Sequence, residues 1–278
     1  MSTPDPTPAQ QPPLETIDRA FSRTAAKYDA FGQDHPHQTR MRNKVHAHVQ
    51  RIVPTGSRLL ELNAGTGTDA VQLAQLGYHL HATDIAQGML SRLRQKVSEL
   101  RLEDRITVEE RSFLDLRQVP GAPFDAVFSD LGGLNCVADL SPVIRQLPGV
   151  LRPGGTVTWV LMPHVCLWEM AEVFRLNFRV AFRRLSAHGV QAHLEGLTFP
   201  VYYFSPRRVV DWFGDDYKLI SLEGLSVITP TAESKNFARQ FRRLYRILAW
   251  LDDRLSPHWP WYGWGDFYIL SMKYQPRH

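Results

Sequence analysis

The sequence predicts an α/β fold built on a doubly wound, seven-stranded and mostly parallel sheet. From residue 58 to residue 162, short apolar runs typical of buried strands alternate with amphipathic helical segments. The first apolar run ends in a glycine-rich turn that opens a helix. Such alternation is typical of βαβ units, whose right-handed crossovers place helices on both faces of the sheet.

Turn residues and hydrophobic periodicity set the bounds of the predicted elements. The seven strands are expected over residues 58–62, 78–84, 106–109, 124–129, 156–162, 217–228 and 265–274. Helices are expected over residues 14–31, 40–52, 69–77, 88–100, 141–151, 166–185 and 233–255. The turn 152–155, Arg-Pro-Gly-Gly, is expected to close the helix that precedes the fifth strand.

The alternation stops after Met162, so we interpret residues 163–214 as a cap inserted over the sheet. This segment is rich in aromatic residues and contains a further predicted strand over residues 197–204. The proline-rich residues 1–14 are expected to form a disordered tail. The sequence therefore predicts one domain over residues 15–278 that carries the cap.

Composition argues against several classes of protein. The net charge is +4, and the basic residues are spread along the chain, which makes nucleic acid an improbable partner. The two cysteines, Cys136 and Cys166, form no CxxC pair, so a disulfide scaffold and a structural zinc site are both disfavoured. Neither a signal-peptide core nor an apolar run of about 20 residues is present. We therefore expect a cytoplasmic protein with no membrane span and no metal.

The sharpest chemical signal is the turn in residues 60–69, Leu-Glu-Leu-Asn-Ala-Gly-Thr-Gly-Thr-Asp. Gly65, Gly67 and Ala70 have the spacing of a dinucleotide-binding turn, in which a ligand approaches the backbone and the N-terminus of a helix. Asp84 ends the next strand at the distance expected for an acid that accepts ribose hydroxyls. These residues predict a nucleoside cofactor, and by themselves they fit both NAD and S-adenosylmethionine.

Four segments in order resemble the motifs of class I S-adenosylmethionine-dependent methyltransferases. They are residues 60–67, 82–90 with their acid, 124–129, and the turn 151–155. Residues 21–29 are similar to the N-terminal helix of the members that act in ubiquinone biosynthesis. The resemblance implies a Rossmann-like fold with an antiparallel closing strand, S-adenosylmethionine as cofactor, and a small-molecule acceptor.

The resemblance also implies cofactor-binding roles for particular residues. Glu61 and the turn from Gly65 to Gly67 would line the methionine part, while Asp84 would accept both ribose hydroxyls. Ser112 would lie beside the adenine, where many members carry an acid instead. The full set implied for the cofactor is Tyr28, Glu61, Asn63, Gly65, Thr66, Gly67, Asp84, Ile85, Met89, Ser112, Phe113 and Ser129.

Members that methylate planar nitrogens often carry an Asn/Asp-Pro-Pro-aromatic motif after the fourth strand. This chain has Ser-Asp-Leu-Gly-Gly at residues 129–133, which disfavours methylation of nucleic-acid bases. Two other functions stay open: a nicotinamide-dependent oxidoreductase, for which no Tyr-x-x-x-Lys pair is found, and a cofactor-binding protein without catalysis.

The acceptor side has no identifying motif. An acceptor must be aligned with the methyl group, and a hydroxyl or amine can also need a general base. The catalytic candidates are His164, which follows the fifth strand, and Tyr202 and Tyr203 in the cap. His79 and His81 alternate on a strand and are interpreted as structural, since no cysteine or carboxylate accompanies them in sequence.

For two further patterns we favour a structural interpretation over a functional one. The aromatic residues of the cap suit an apolar or aromatic acceptor, although packing against the sheet explains most of them. Four arginines, Arg239, Arg242, Arg243 and Arg246, share one face of the helix 233–255, with apolar residues on another face. A solvated helix face is the favoured interpretation, and a membrane surface or an acidic partner is the alternative.

Overall fold

The computed structural model describes residues 14–33, 35–186, 188–234 and 236–277. Nine strands occur within these ranges: β1 Arg58–Leu62, β2 His79–Asp84, β3 Ile106–Glu110, β4 Phe124–Ser129, β5 Leu151–Leu161, β6 Val190–Leu194, β7 Leu197–Val201, β8 Tyr217–Leu225 and β9 Phe267–Tyr274. The tail expected over residues 1–14 lies outside the described residues, apart from Leu14.

Seven of these strands form one sheet, in the order β3-β2-β1-β4-β5-β9-β8. The first five are parallel, and β9 runs antiparallel between β5 and β8. The predicted fold class, including the antiparallel closing strand, is therefore confirmed. The strand order reverses beside β1, and in open α/β sheets this is where ligands bind at the carboxyl ends of the strands.

Ten α-helices are described: α1 Leu14–Gln33, α2 Pro36–Ile52, α3 Thr68–Gln75, α4 Gln87–Glu99, α5 Ser141–Ile144, α6 Leu167–Met170, α7 Phe178–Ala181, α8 Pro206–Phe213, α9 Phe237–Gln240 and α10 Arg242–Leu255. Successive residues of a buried strand point to opposite faces of the sheet. Both faces are therefore apolar, and helices cover both of them. On β1, Leu60 packs into one apolar cluster with Trp159, and Leu59 packs into another with Phe128.

Three predicted helices are shorter than expected. The helix predicted over 141–151 ends at Ile144, four residues before Pro148, whose ring would clash with the Ile144 carbonyl group. The helix predicted over 166–185 is broken into α6, α7 and 3-10 turns, because Leu176 takes a left-handed φ of 60°. The helix predicted over 233–255 is interrupted at Phe241, where φ is −118° and ψ is 53°. No proline or glycine marks that break.

Other corrections concern the ends of strands. The turn 152–155 lies within β5 as a bulge, since Phe124 pairs with Leu151 while Ala126 pairs with Thr156. The strand predicted over 217–228 ends at Leu225, because Ser226 has a left-handed φ of 52°. The strand predicted over 197–204 ends at Val201 and pairs with β6 as a hairpin.

The cap expected over residues 163–214 contains two kinds of structure. The β6–β7 hairpin lies against α1, with Phe199 in the apolar cluster that also holds Ile17. In contrast, Val209 and Phe213 of α8 are buried in the main core beneath the sheet. The division of the chain into a domain and a cap stays a prediction.

Helix α1 is attached to the N-terminus of α4 by side-chain caps. The Gly88 N–H donates to Ser22 Oγ at 3.0 Å, which satisfies an amide group that has no partner within the helix. A Cβ atom at Gly88 would lie 2.5 Å from the Ser22 carbonyl oxygen. Glycine at position 88 therefore permits the two helices to approach closely.

We expect Gly88→Ala to lower the free energy of unfolding by about 1–3 kcal/mol, because the added methyl group must push α1 away from α4. Urea denaturation would measure the loss. Gly149→Ala is the matched control, since no described atom lies within 4 Å of a Cβ there. Equal losses in the two variants would contradict the close-packing explanation.

Candidate active site

A cavity of about 240 Å³ opens at the carboxyl ends of β1, β2 and β4. Its floor is the turn that follows β1, and its cover consists of α1 and the β6–β7 hairpin. Phe21 and Tyr28 of α1 and Phe199 of β7 contribute apolar surface to the cover. Parallel strands end together at this edge, which is why the acids that follow β1, β2 and β4 converge there.

The two glycines of the turn have different functions. Gly65 has a φ of 56°, and no described atom lies within 4 Å of a Cβ built there, so the space next to its backbone is open cavity. Gly67 has a φ of 76°, but a Cβ there would overlap the side chain of Leu93 on α4. Gly65 therefore leaves room for a ligand, whereas Gly67 permits the packing of α3 against α4.

Asp84 joins the ends of β1 and β2. Its Oδ2 accepts a hydrogen bond from the Gly65 N–H at 2.8 Å, and its Oδ1 accepts one from the Ala86 N–H at 2.8 Å. Burial raises the pKa of Asp84, while the hydrogen bonds from Ala86 and Gly65 act in the opposite direction. Each carboxylate oxygen can accept more than one hydrogen bond, so the two hydroxyl groups of a ribose can still bind.

Three buried carboxylic acids surround the guanidinium of Arg42. Asp69, in the first turn of α3, accepts a hydrogen bond from Arg42, and its Oδ1 lies 2.8 Å from His46 Nε2. Asp130 Oδ2 lies 3.9 Å from Arg42, and Glu61, the last residue but one of β1, lines the same cavity. The cavity thus has more acidic groups than cationic partners at this end.

The pKa values of these acids diverge. Burial alone would raise the pKa of Asp69, but Arg42 and His46 lower it overall. Burial and the neighbouring Asp69 raise the pKa of Asp130 to about 7. Burial and the charges of Asp69 and Asp130 raise the pKa of Glu61 well above its ordinary value. A cationic ligand would relieve this repulsion and favour the ionised forms.

Several buried polar atoms of the cavity have no hydrogen-bond partner within the described part of the chain. They are Glu61 Oε2, Asn63 Nδ2 and Asp130 Oδ2. Leaving such groups unpaired costs free energy, so they indicate a polar ligand at this end of the cavity. S-adenosylmethionine fits these requirements, since it has cationic sulfonium and ammonium groups, a ribose and an apolar adenine face.

Most of the residues predicted to bind the cofactor meet in this cavity. Those that line it are Tyr28, Glu61, Asn63, Gly65, Thr66, Asp84, Ile85, Met89 and Phe113. Ser112, Ser129 and Gly67 are not among the described lining residues. Ser112 Oγ instead accepts a hydrogen bond from the Leu114 N–H at 3.2 Å, and Ser129 is fully buried at the end of β4.

Sequence reasoning did not anticipate Arg42, Asp69 and Asp130. Asp69 and Asp130 both follow parallel strands within the quoted motifs, and this position is a signal that could have identified them. Arg42 could not be found in this way, because it lies on α2, outside the βα units.

The three catalytic candidates lie outside the cofactor cavity in the described structure. His164 Nδ1 lies 2.9 Å from the Arg184 carbonyl oxygen. Tyr202 is buried in the main apolar core, and its carbonyl oxygen accepts a hydrogen bond from Asn135 Nδ2 at 2.6 Å. Tyr203 lines a second, neighbouring cavity. His81 Nε2 lies 2.9 Å from Glu109 Oε2, so this histidine contacts a carboxylate of β3.

Comparison with known proteins agrees with this geometry. Residues 59–155 match a family model described as a methyltransferase domain. The chain is 28% identical over 220 residues to the malonyl-[acyl-carrier protein] O-methyltransferase of Halorhodospira halophila, covering 74% of this chain and 72% of that protein. It is 35% identical over 112 residues to the demethylmenaquinone methyltransferase of Clavibacter sepedonicus, covering 40% of this chain and 44% of that protein.

Solved structures show the same fold. Geranyl diphosphate C-methyltransferase from Streptomyces coelicolor A3(2), solved with S-adenosyl-L-homocysteine, superimposes with a TM-score of 0.53 at 12% identity. That superposition covers 84% of this chain and 78% of the other. The fold and the cavity together define a nucleoside-binding Rossmann-like protein. The chain is a class I S-adenosylmethionine-dependent methyltransferase, with S-adenosylmethionine as its cofactor.

We expect Asp84→Ala to weaken the binding of S-adenosylmethionine by about 1.5–3 kcal/mol, because charge-assisted hydrogen bonds to the ribose are lost. Isothermal titration calorimetry on folded protein would measure this change. Unaltered affinity would show that Asp84 does not bind the ribose.

A pair of glycine variants separates the two functions of the turn. Gly65→Val is expected to abolish cofactor binding by filling open cavity, although its left-handed φ also adds backbone strain. Gly67→Ala is expected mainly to lower the melting temperature, because its methyl group overlaps Leu93 in the core. Strong cofactor binding by Gly65→Val would contradict this division.

Asp130→Asn should change the pH dependence of cofactor binding. The wild-type affinity is expected to rise as pH increases through about 7, because Asp130 then loses its proton and attracts the cationic cofactor. The asparagine variant should bind more weakly and show a smaller rise between pH about 6 and about 8. Calorimetry in buffers of both pH values tests this, and identical profiles would argue against a contribution from Asp130.

The ligand-free Asp130→Asn variant should also differ in stability. A raised native pKa means that the folded state keeps a proton that the unfolded state loses, so stability falls as pH rises from about 4 to about 7. The variant lacks this titration and should lose less stability over that window. Urea denaturation at several pH values measures the difference.

Proposed function

We propose that the enzyme transfers the methyl group of S-adenosylmethionine to a small apolar or aromatic acceptor held in a second cavity. This second cavity is lined in part by residues that also line the cofactor cavity, among them Tyr28, Leu131 and Met162. The shared wall is the observation that carries the proposal, because methyl transfer requires acceptor and cofactor to lie in line and in contact.

The second cavity has mixed walls. Its apolar wall includes Met41, Val201 and Phe267, which suit a hydrophobic acceptor. Its polar wall includes Tyr203 and a buried ion-pair network. In that network Arg184 donates to Glu169 at 2.5 Å and to Asp266 at 2.7 Å. The network positions the wall without leaving the charge of Arg184 uncompensated.

Cys166, Glu169 and Asp266 lie close enough together to suggest a metal site among the described residues. The guanidinium of Arg184 already bridges Glu169 and Asp266, and its positive charge would repel a cation there. We therefore interpret the cluster as an ion-pair network that supports the acceptor cavity.

Tyr203 is suited to orient an acceptor through a hydrogen bond. Burial raises the pKa of its phenol, although the nearby Arg184 opposes the rise. The Arg184 guanidinium lies 5.2 Å from the centre of the Tyr203 ring. Because the phenol stays protonated, Tyr203 donates a hydrogen bond more readily than it removes a proton.

The cofactor supplies an already activated methyl group when bound. The protein therefore mainly aligns the acceptor with that methyl group and limits the access of water. The cover formed by α1 and the β6–β7 hairpin places apolar side chains over the cofactor cavity, which limits the access of water. Gly132 and Gly133 line this cavity, and a Cβ at Gly133 would lie 2.6 Å from the Cβ of Asn63, so glycine there permits the loop after β4 to pack against Asn63. The names of the two relatives, which refer to malonyl-[acyl-carrier protein] and to demethylmenaquinone, support a small-molecule acceptor.

Compartment and partners belong to the same proposal. Both cysteines, Cys136 and Cys166, are free and buried, which fits a reducing cytoplasm. Within the described residues, no helix is long and apolar enough to cross a membrane. Nucleic acid as an improbable partner stays a prediction.

Calorimetric titration is the first test. We expect S-adenosylmethionine and S-adenosylhomocysteine to bind, and NADH and NADPH not to bind. Methyl transfer from a radiolabelled cofactor would then be screened over phenols, quinols and carboxylic acids. Transfer only to polynucleotides would contradict the proposed acceptor class.

Tyr203→Phe tests the acceptor cavity directly. We expect a loss of roughly tenfold in kcat/KM for the acceptor, the effect of one neutral hydrogen bond, with little change in cofactor affinity. Tyr262→Phe, on a short 3-10 turn outside both described cavity linings, is the matched control. A Tyr203→Phe enzyme as active as the control would show that the phenol does not contact the acceptor.

A further inference from the structure

Exposed apolar side chains are concentrated in two stretches of the chain. Eleven of the fifteen large hydrophobic side chains that are exposed among the described residues lie in residues 170–185 and 241–259. Phe174 is 93% exposed and Leu176 is 78% exposed in the first stretch. Ile247 and Trp250 are 57% and 56% exposed in the second. Such concentrations mark sites of interaction, because monomeric proteins rarely expose large contiguous apolar patches.

Aromatic contacts link the segments that border the two stretches. Trp168 of α6 lies 6.1 Å, centre to centre, from Phe237 of α9, and Phe237 lies 5.3 Å from Phe241. Phe241 directly precedes α10, which carries Ile247 and Trp250. We call residues 170–185 together with residues 241–259 the aromatic–arginine face.

Helix α10 exposes apolar and basic side chains together. Among its residues, all of them described, only Asp252 is fully buried. Arg242, Arg243 and Arg246 are exposed, and the Arg254 guanidinium lies 5.1 Å from the centre of the Trp250 ring. The apolar side of the helix is thus not used to pack the core.

Both acids of α10 are paired with cations of α2, although only Asp252 is buried. Asp252 accepts a hydrogen bond from Arg40 at 2.9 Å, and Asp253 accepts one from Arg40 at 2.6 Å. Lys44 lies 3.5 Å from Asp253 as well. Because α2 neutralises both acids, the outer side of α10 presents a positive charge.

We propose that the aromatic–arginine face binds the surface of an anionic lipid bilayer. Aromatic and aliphatic side chains can enter the boundary between headgroups and acyl chains, while arginine extends its charge to the lipid phosphates. The helix lies on the bilayer, since α10 has only fourteen residues and cannot span it. Negative surface potential adds to the attraction for each arginine near the headgroups.

The positive charge of the aromatic–arginine face favours an anionic bilayer as its partner over a second copy of the chain. A two-fold interface brings the same patch of each subunit together. The arginines of one α10 would then face those of the other without acids to neutralise them. An anionic membrane offers both the apolar layer and the opposite charge.

Co-sedimentation of the full-length protein with vesicles tests the proposal. We expect binding to vesicles that contain phosphatidylglycerol and phosphatidylcholine, and at least a roughly tenfold weaker affinity for phosphatidylcholine alone. High salt should reduce the binding to the anionic vesicles. A protein that stays in the supernatant with both vesicles would overturn the proposal.

Two variants and a control locate the contact. Ile247→Asp/Trp250→Asp and Arg243→Glu/Arg246→Glu should each reduce the affinity by roughly tenfold or more, without lowering the melting temperature. Leu100→Asp, which changes an exposed leucine at the end of α4, should bind like the wild type. Equal binding by all three proteins would overturn the location, as would a dimer in light scattering that only the α10 variants dissociate.

Discussion

The hydrogen bond from the Gly65 amide to the Asp84 carboxylate organises the cofactor side of this molecule. It joins the loop after β1 to the end of β2, and the parallel pairing of these strands fixes the separation of the two residues. The same carboxylate accepts the Ala86 amide at the start of α4, so one side chain sets a turn, a strand end and a helix. Helix α1 then depends on α4, because Ser22 caps the N-terminus of that helix. Asp84 therefore helps to position the floor of the cavity directly and its cover through α4 and α1.

At its charged end, the cavity lowers the stability of the fold and raises the affinity for a cationic ligand. Glu61, Asp69 and Asp130 are buried close to one another, and the guanidinium of Arg42 compensates them only in part. Like charges in a dry site raise one another's pKa, and part of the cost is avoided when an acid keeps its proton. A ligand with cationic groups removes the need for that proton. The repulsion among these acids therefore favours a ligand with cationic groups, such as the sulfonium and ammonium groups of S-adenosylmethionine.

The βα region was predictable because its signals are local. Apolar runs, glycine turns and an acid at the end of a strand occur within a few residues of one another, and strands such as β1 and β4 were placed correctly. The cap region was not predictable in the same way. The helix expected over 166–185 satisfies helical periodicity, yet six of its large apolar side chains are exposed and Leu176 interrupts it with a left-handed φ. Arg42 and the α1–α4 caps depend on contacts between distant segments, which one sequence does not reveal.

The four arginines of the helix predicted over 233–255 show why a local pattern can be interpreted correctly only in part. Sequence reasoning placed the arginines and the apolar residues of the helix 233–255 on different faces and interpreted the basic face as solvated. In the structure, Asp252 is the group that faces the core, where its Oδ1 accepts hydrogen bonds from the Val227 and Ile228 amides at 2.7 Å. A buried carboxylate with charged and backbone partners can anchor a helix in place of leucines. Leu244, Ile247 and Trp250 of α10 are thereby left exposed on the aromatic–arginine face, which also includes Arg184 of the ion-pair network beside the second cavity.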